Sequence, residues 1–366
     1  MLKTIALAHG DGIGPEVVNE GKKILDLIAQ YTNFEFNFVE TPIGGEVWKR
    51  TGTNLPDKSF NQMQESDAIL FGAIGLPDLA QGVAESAILK MRQGLNLYVN
   101  LRPVKLYEPL YDICPLKPEF YAEGIDITIV RENTESLYAQ IGGMINAETA
   151  VNTMVYTRKA VERLIDYGFA YAERKGHTEI ISVDKANVLA CSRFWREIFT
   201  EKGKKFPKLK QTNFYVDAFC QWLIRSPSTI QTVVTENMFG DIISDEAAYL
   251  IGSMGMAASG NINPNSVSMY EPIHGSAPDI ARQNIANPIG AILSVKMMCE
   301  ESFHDIVLGT QIENAVIEAL WEGRTLDIYP RKGSKVKDVG SKKYKKCTTQ
   351  EMGTLIAEKL KAQLKP

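Results

Sequence analysis

Three short apolar runs in this chain each end in a dense polar cluster. Ile125-Asp126-Ile127-Thr128-Ile129-Val130 leads into Arg131-Glu132-Asn133-Thr134-Glu135, and Glu179-Ile180-Ile181-Ser182-Val183 delivers Asp184-Lys185-Ala186-Asn187. Thr232-Val233-Val234 leads to Asn237-Met238-Phe239-Gly240-Asp241. Runs of this kind read as strands, and open α/β sheets carry their sites just past the carboxyl ends of strands. The amino-terminal part follows the same alternation. A strand at Thr4–Ala8 is followed by a glycine loop, His9–Glu16, and an amphipathic helix that starts with Pro15, where a missing N–H costs nothing. Phe34–Val39 alternates with period two, and Ala68–Ala73 reads as a buried parallel strand ending in a glycine turn. The βαβ alternation predicts an α/β sheet.

At 366 residues the chain exceeds a typical single core, so two domains or one large α/β unit are expected. A net charge of −4 gives no reason to expect nucleic acid or an anionic membrane as partner, so an acidic substrate would need locally placed arginines. The longest apolar stretches are too short to span a bilayer. Five cysteines without CxxC or zinc spacing read as reduced thiols, and a first strand that begins at Thr4 leaves no room for a transit peptide; a cytoplasmic protein is expected. The lysine-rich section from Lys332 to Lys346 reads as a solvated loop before a final helix.

The opening glycine loop is not a dinucleotide fingerprint. Gly10, Gly12 and Gly14 do not fit G-x-G-x-x-G, because Pro15 fills the sixth position; a plain turn is the alternative. Asp241 and Asp245 are more informative. At i and i+4 on a helix their carboxylates point the same way, about one turn apart. Two such anions repel unless a cation joins them, and oxygen-only ligands select Mg²⁺ or Mn²⁺. A helix bearing two solvated acids is the alternative.

The run Glu271-Pro272-Ile273-His274-Gly275-Ser276-Ala277-Pro278-Asp279-Ile280-Ala281, followed by Asn287-Pro288, resembles the adenosine-binding loop of the β-decarboxylating dehydrogenases. That family includes isocitrate, isopropylmalate, homoisocitrate and tartrate/D-malate dehydrogenases. The likeness runs from Gly10 to about Asn287. It implies an isopropylmalate/isocitrate dehydrogenase-like α/β fold, two domains around a central sheet, distinct from a standard Rossmann fold. It further implies a discontinuous cofactor domain at 1–100 and 252–366, and a substrate, metal and dimerisation domain at 101–251. An interlocking arm near 140–157 would join a homodimer whose active site is shared between subunits.

The same resemblance assigns roles. Arg92, Arg102 and Arg131 match the family's substrate arginines, and planar guanidinium forks suit a substrate with two carboxylates. An arginine taken alone is far more often a surface residue. Asp217 resembles the third metal carboxylate, which in this family comes from the neighbouring subunit and also faces substrate. Lys185 matches the general base, a role favoured by cationic neighbours that disfavour its protonated form. Tyr138 matches the tyrosine that returns a proton after decarboxylation. Ile13, Glu271, His274, Gly275, Ser276, Ala277, Asp279, Ile280 and Asn287 would hold the cofactor. A carboxylate at Asp279 can accept bonds from ribose hydroxyls and would repel a 2′-phosphate, which implies NAD.

Family members share a malate core and differ in the group at C3. Isocitrate enzymes carry Ser and Asn six and four residues before the arginine; here Ser86 is present but Ile88 replaces the Asn. Glu85, Ile88 and Leu89 match the acidic residue and two leucines of isopropylmalate enzymes, so 3-isopropylmalate is the favoured substrate. Asn133-Thr134-Glu135-Ser136-Leu137-Tyr138 is closer to isocitrate, homoisocitrate and tartrate/D-malate enzymes, and Gln140–Asn146 leans toward tartrate/D-malate relatives. Lys90 is positioned to meet an acidic group at C3. A silent regulatory subunit is the non-enzymatic alternative, disfavoured because Tyr138, Lys185, Asp217, Asp241 and Asp245 are all kept.

Overall fold

A computed structural model describes residues 1–80, 82–330 and 344–365. Its first strands are β1 (Leu2–Gly10), β2 (Glu35–Glu40), β3 (Ala68–Ala73), β4 (Val99–Lys105), β5 (Asp126–Glu132) and β6 (Gly142–Asn146). They are followed by β7 (Thr149–Asn152), β8 (Glu179–Asp184), β9 (Lys210–Tyr215), β10 (Thr232–Thr235), β11 (Ala258–Ile262) and β12 (Ser268–Pro272). The chain divides into two compact units, Met1–Met91 with Leu106–Pro115 and Ala248–Pro366, and Arg92–Lys105 with Leu116–Ala247.

In the first unit the strand order is β2-β1-β3-β12-β11. All neighbours are parallel except β11 with β12. Ala-Ile-Leu-Phe-Gly-Ala in β3 is wholly buried, as an all-apolar strand flanked by two others must be. The helix Gly14–Tyr31 has Pro15 in its first turn and turns Val17, Val18, Gly21, Ile24, Leu25 and Ile28 inward at helical spacing. The helices Ile289–Glu301 and Thr349–Leu364 pack against it.

The second unit has the order β4-β5-β10-β8-β9, parallel except β4 with β5. The register pairs Thr235 with Arg131 on one side and with Val183 on the other. The carboxyl ends of β5, β10 and β8 therefore lie side by side, and their three polar clusters share one edge. This is the α/β arrangement expected from the sequence.

The unit boundaries differ from those implied by family likeness. Residues 92–105 go with the second unit because β4 is zipped along its whole length to β5. Residues 106–115 return to the first, where Arg324 donates two 2.9 Å bonds to Asp112 and Tyr107 donates to Glu313 at 3.0 Å. At 142–152, within the expected arm, β6 and β7 form an antiparallel hairpin with every strand residue exposed. In the lysine-rich section, Lys345–Lys346 pairs with Gly323–Arg324 as a short strand, and 331–343 lie outside the described residues. Among the described residues no helix is long and apolar enough to cross a membrane.

Candidate active site

Strand ends and one helix build a charged cluster inside the second unit. Arg131, the penultimate residue of β5, is fully buried, and Arg102 on β4 and Arg92 near the end of the helix Val83–Gly94 are nearly so. The helix Asn237–Leu250 supplies Asp241 and Asp245 one turn apart. Arg131 Nη1 donates to Asp241 Oδ1 at 2.5 Å. Arg102 Nη1 donates to Ser244 Oγ at 2.6 Å and to Asp245 Oδ1 at 3.1 Å, while its Nη2 lies 3.4 Å from Asp241. Arg102 therefore links the two acids that would otherwise repel. The Tyr138 hydroxyl donates to Asp241 Oδ2 at 2.8 Å.

Burial and charge compete at every member. Burial lowers the Arg131 pKa to about 10, helped by the charge of Arg102 and opposed by Asp241; Arg131 stays cationic at neutral pH. Burial opposes ionisation of Asp241, but Arg131 and Arg102 outweigh it and hold the carboxyl below its ordinary value. Asp245 moves the other way, since burial and the nearby Asp241 exceed what Arg102 returns. Burial, then the Asp241 charge, raises Tyr138, which keeps its proton at neutral pH. The cluster is thus set up to hold an anionic ligand beside a protonated hydroxyl.

Lys185 and Asp217 form a second group. Lys185 follows β8, and Asp217 opens the helix Val216–Arg225. The lysine donates to the carboxylate, holding Asp217 below its ordinary value. The expectation sets Lys185 beside arginines and a metal; within this chain its ion-pair partner is Asp217.

The predicted cofactor residues gather in the first unit. Ile13 N–H donates to Ser276 O at 2.8 Å, which docks the loop at 275–282 onto the opening glycine loop. Gly12 has φ +59°, and a Cβ there would lie 1.9 Å from Ser276 O, so glycine is required. Ala277 and Ile280 pack against the buried cluster of Ile13, Val17, Ala286 and Ala291, and Glu16 accepts from the Arg282 backbone N–H. Glu271 accepts from Asn261 Nδ2 at 2.7 Å. Burial lowers the His274 pKa; its Nδ1 contacts Gly275 O at 2.9 Å and its buried Nε2 has no partner. Asp279 is exposed, and Asn287 is buried with Nδ2 donating to Asp327 at 3.0 Å.

Glu85, Ile88 and Leu89 precede Arg92 on the helix Val83–Gly94, at spacings that share a face; Glu85 is exposed and the other two half-buried. Lys90 is turned to Asp57 at 3.1 Å. Two organisers lie inside motifs read from the sequence, the glycine loop and the cluster past Thr232–Val234, but were given no role there. Asp11 is buried and accepts from the backbone N–H groups of Gly45 and Gly75 at 2.6 and 3.0 Å, tying three loops together. Asn237 is buried beside Arg131.

The family described as isocitrate/isopropylmalate dehydrogenase matches residues 4–356. A 3-isopropylmalate dehydrogenase of Bacillus licheniformis is 42% identical over 362 residues, 96% of this chain and 94% of that protein. One of Wolinella succinogenes is 41% identical over 360 residues, 96% of each. The crystal structure of isocitrate dehydrogenase from Methylococcus capsulatus superposes with a TM-score of 0.86 at 32% identity, covering 98% of this chain and 99% of that one.

Proposed function

The chain belongs to the isocitrate/isopropylmalate dehydrogenase family, and from that premise we propose that it oxidatively decarboxylates 3-isopropylmalate to 4-methyl-2-oxopentanoate in leucine biosynthesis, using NAD and Mg²⁺ or Mn²⁺. The observation that carries this reading is the cluster of Arg102, Arg131, Asp241, Asp245 and Tyr138, which joins cationic forks, paired carboxylates and a protonated hydroxyl. The near-full-length 3-isopropylmalate dehydrogenase relatives support the substrate.

The donor set fits a hard divalent cation. Asp241 and Asp245 offer only oxygen, and Asp245 retains unfavourable proximity to Asp241 that a cation would relieve. Mg²⁺ commonly takes one or two protein carboxylates and completes its shell with substrate oxygens and water. With Nδ1 donating to Gly275 O and burial keeping the ring neutral, the orphaned Nε2 of His274 is an acceptor, and the exocyclic amino group of adenine is a donor that would satisfy it. When bound, NAD would take hydride from C2 and the metal would draw electron density from the C2 oxygen.

The chain's own residues do the rest. Arg92, Arg102 and Arg131 orient the two carboxylates of the malate core. Lys185, in its neutral amine form, takes the C2 hydroxyl proton through a relay. After CO₂ leaves, Tyr138 delivers a proton to C3, the carbon that lost it. Ile88 and Leu89 receive the isopropyl group. Asp279 bonds the ribose hydroxyls and excludes a 2′-phosphate. Because Lys185 is ion-paired to Asp217, a site that takes Asp217 from a neighbouring subunit takes Lys185 with it. The exposed hairpin β6–β7 is the arm of that homodimer, and the enzyme works in the cytoplasm. Purified protein with NAD, Mg²⁺ and 3-isopropylmalate should release NADH and CO₂ one for one, and chelation or D245N should abolish both. NADH without CO₂ would refute the reaction.

A further inference from the structure

Arg131 has its guanidinium plane fixed by one residue that no catalytic step uses. Asn237 Oδ1 accepts from both Nε, at 3.1 Å, and Nη2, at 2.8 Å, and its backbone oxygen accepts from Nε at 2.8 Å. The near edge of the fork is therefore filled, and only the far edge, where Nη1 meets Asp241, is left toward the charged cluster. Asn237 Nδ2 donates in turn to Glu132 Oε2 at 3.3 Å and to Glu135 O at 3.0 Å, and its backbone N–H donates to the Tyr156 hydroxyl at 2.8 Å. Glu132 is fully buried and also accepts from Thr134 N and Glu135 N at 2.8 Å, on the segment that leads to Tyr138.

We propose that Asn237 is a positioning residue: its amide locks the Arg131 fork edge-on to the substrate site and couples that fork to the loop carrying Tyr138. The chemistry demands an amide. The side chain must accept from a cation at one atom and donate to a carboxylate and a carbonyl at the other. Aspartate would lose the donor and set a second buried carboxyl beside Glu132. Alanine would leave Arg131 Nε with only the Asn237 backbone oxygen and free the plane to rotate. A fork displaced by about 1 Å costs on the order of 10²-fold in rate.

The proposal rests on the substrate role of Arg131, and the test separates the two. In wild-type background N237A should lower kcat/KM for the hydroxy acid about 10²-fold while KM for NAD changes less than roughly two-fold. In an R131K background the same substitution should cost less than about three-fold, because the fork it positions is gone. Equal losses in both backgrounds, or no loss in wild type, would overturn the proposal. If wild type turns over no hydroxy acid, the functional reading fails while the positioning claim stays testable by arginine side-chain NMR. Arg131 Nε–H should exchange slowly in wild type and rapidly in N237A; a protected Nε–H in N237A contradicts the lock. Should N237A fail to fold, N237S retains a residue favoured at helix starts but cannot span both partners, and the same outcomes apply.

Discussion

Replacing Gly12 by alanine should weaken NAD binding far more than the hold on the hydroxy acid. Gly12 sits at φ +59°, where a side chain costs about 1–2 kcal/mol. The new Cβ would meet Ser276 O at 1.9 Å, and ordinary contact requires the loop to retreat by about 1.5 Å. That retreat breaks the 2.8 Å bond from Ile13 N–H to Ser276 O, worth about 0.5–1.5 kcal/mol. Together the two effects come to about 1.5–3.5 kcal/mol, which as lost loop docking is roughly a 10- to 400-fold weaker NAD site. Steady-state kinetics with each substrate varied would separate the effects. KM for NAD should rise by that factor with KM for 3-isopropylmalate nearly constant. Equal rises for both, or an unchanged KM for NAD, would show that the loop at 275–282 does not bind the cofactor through its seat on the glycine loop.

Other perturbations test separate parts of the account. Y138F should lower kcat about 10²-fold with little change in KM, because the hydroxyl that keeps its proton is gone; unchanged turnover would remove Tyr138 from the mechanism. Burial raises the Glu236 carboxyl to about 7 from an ordinary value of 4.5, so the folded protein keeps a proton that the unfolded chain has already lost. The associated stability is fully present below the unfolded pKa and is lost as pH rises toward the folded one, about 3 kcal/mol in all. E236Q cannot ionise, so its Tm advantage over wild type should grow between about pH 5 and about pH 8; a constant difference would contradict this. Met144 and Ile145 on the hairpin are 70% and 67% exposed. M144K with I145K should shift the protein to monomers in sedimentation and abolish activity, and an active monomer would refute the shared site.

Several residues of the charged cluster were candidates before any coordinates because they lie where local rules are strong. Arg131, Lys185 and Asp241 follow apolar strands, and strand ends are where α/β sheets gather chemistry. Asp241 and Asp245 share a face by helical spacing alone. What could not be read depends on contacts between residues far apart in sequence. The bond from Arg131 to Asn237 spans 106 residues, the pairing of Lys185 with Asp217 spans 32, and that of Asp11 with Gly75 spans 64. Nothing local marks Asn237 as the partner of a buried guanidinium, or shows that Lys90 turns to Asp57. The unit boundary at Arg92 escaped for a similar reason. Residues 92–105 follow β5 through cross-strand pairing that hydropathy does not encode.

The most direct test is NADH formation by the purified protein with Mg²⁺ against 3-isopropylmalate, D-malate, tartrate, homoisocitrate and isocitrate. The account predicts the highest kcat/KM for 3-isopropylmalate, with isocitrate poorest because Ile88 offers its third carboxylate no hydrogen bond. A preference for D-malate or tartrate would show that Ile88 and Leu89 do not set the substrate, and no turnover of any of the five would contradict the account as a whole.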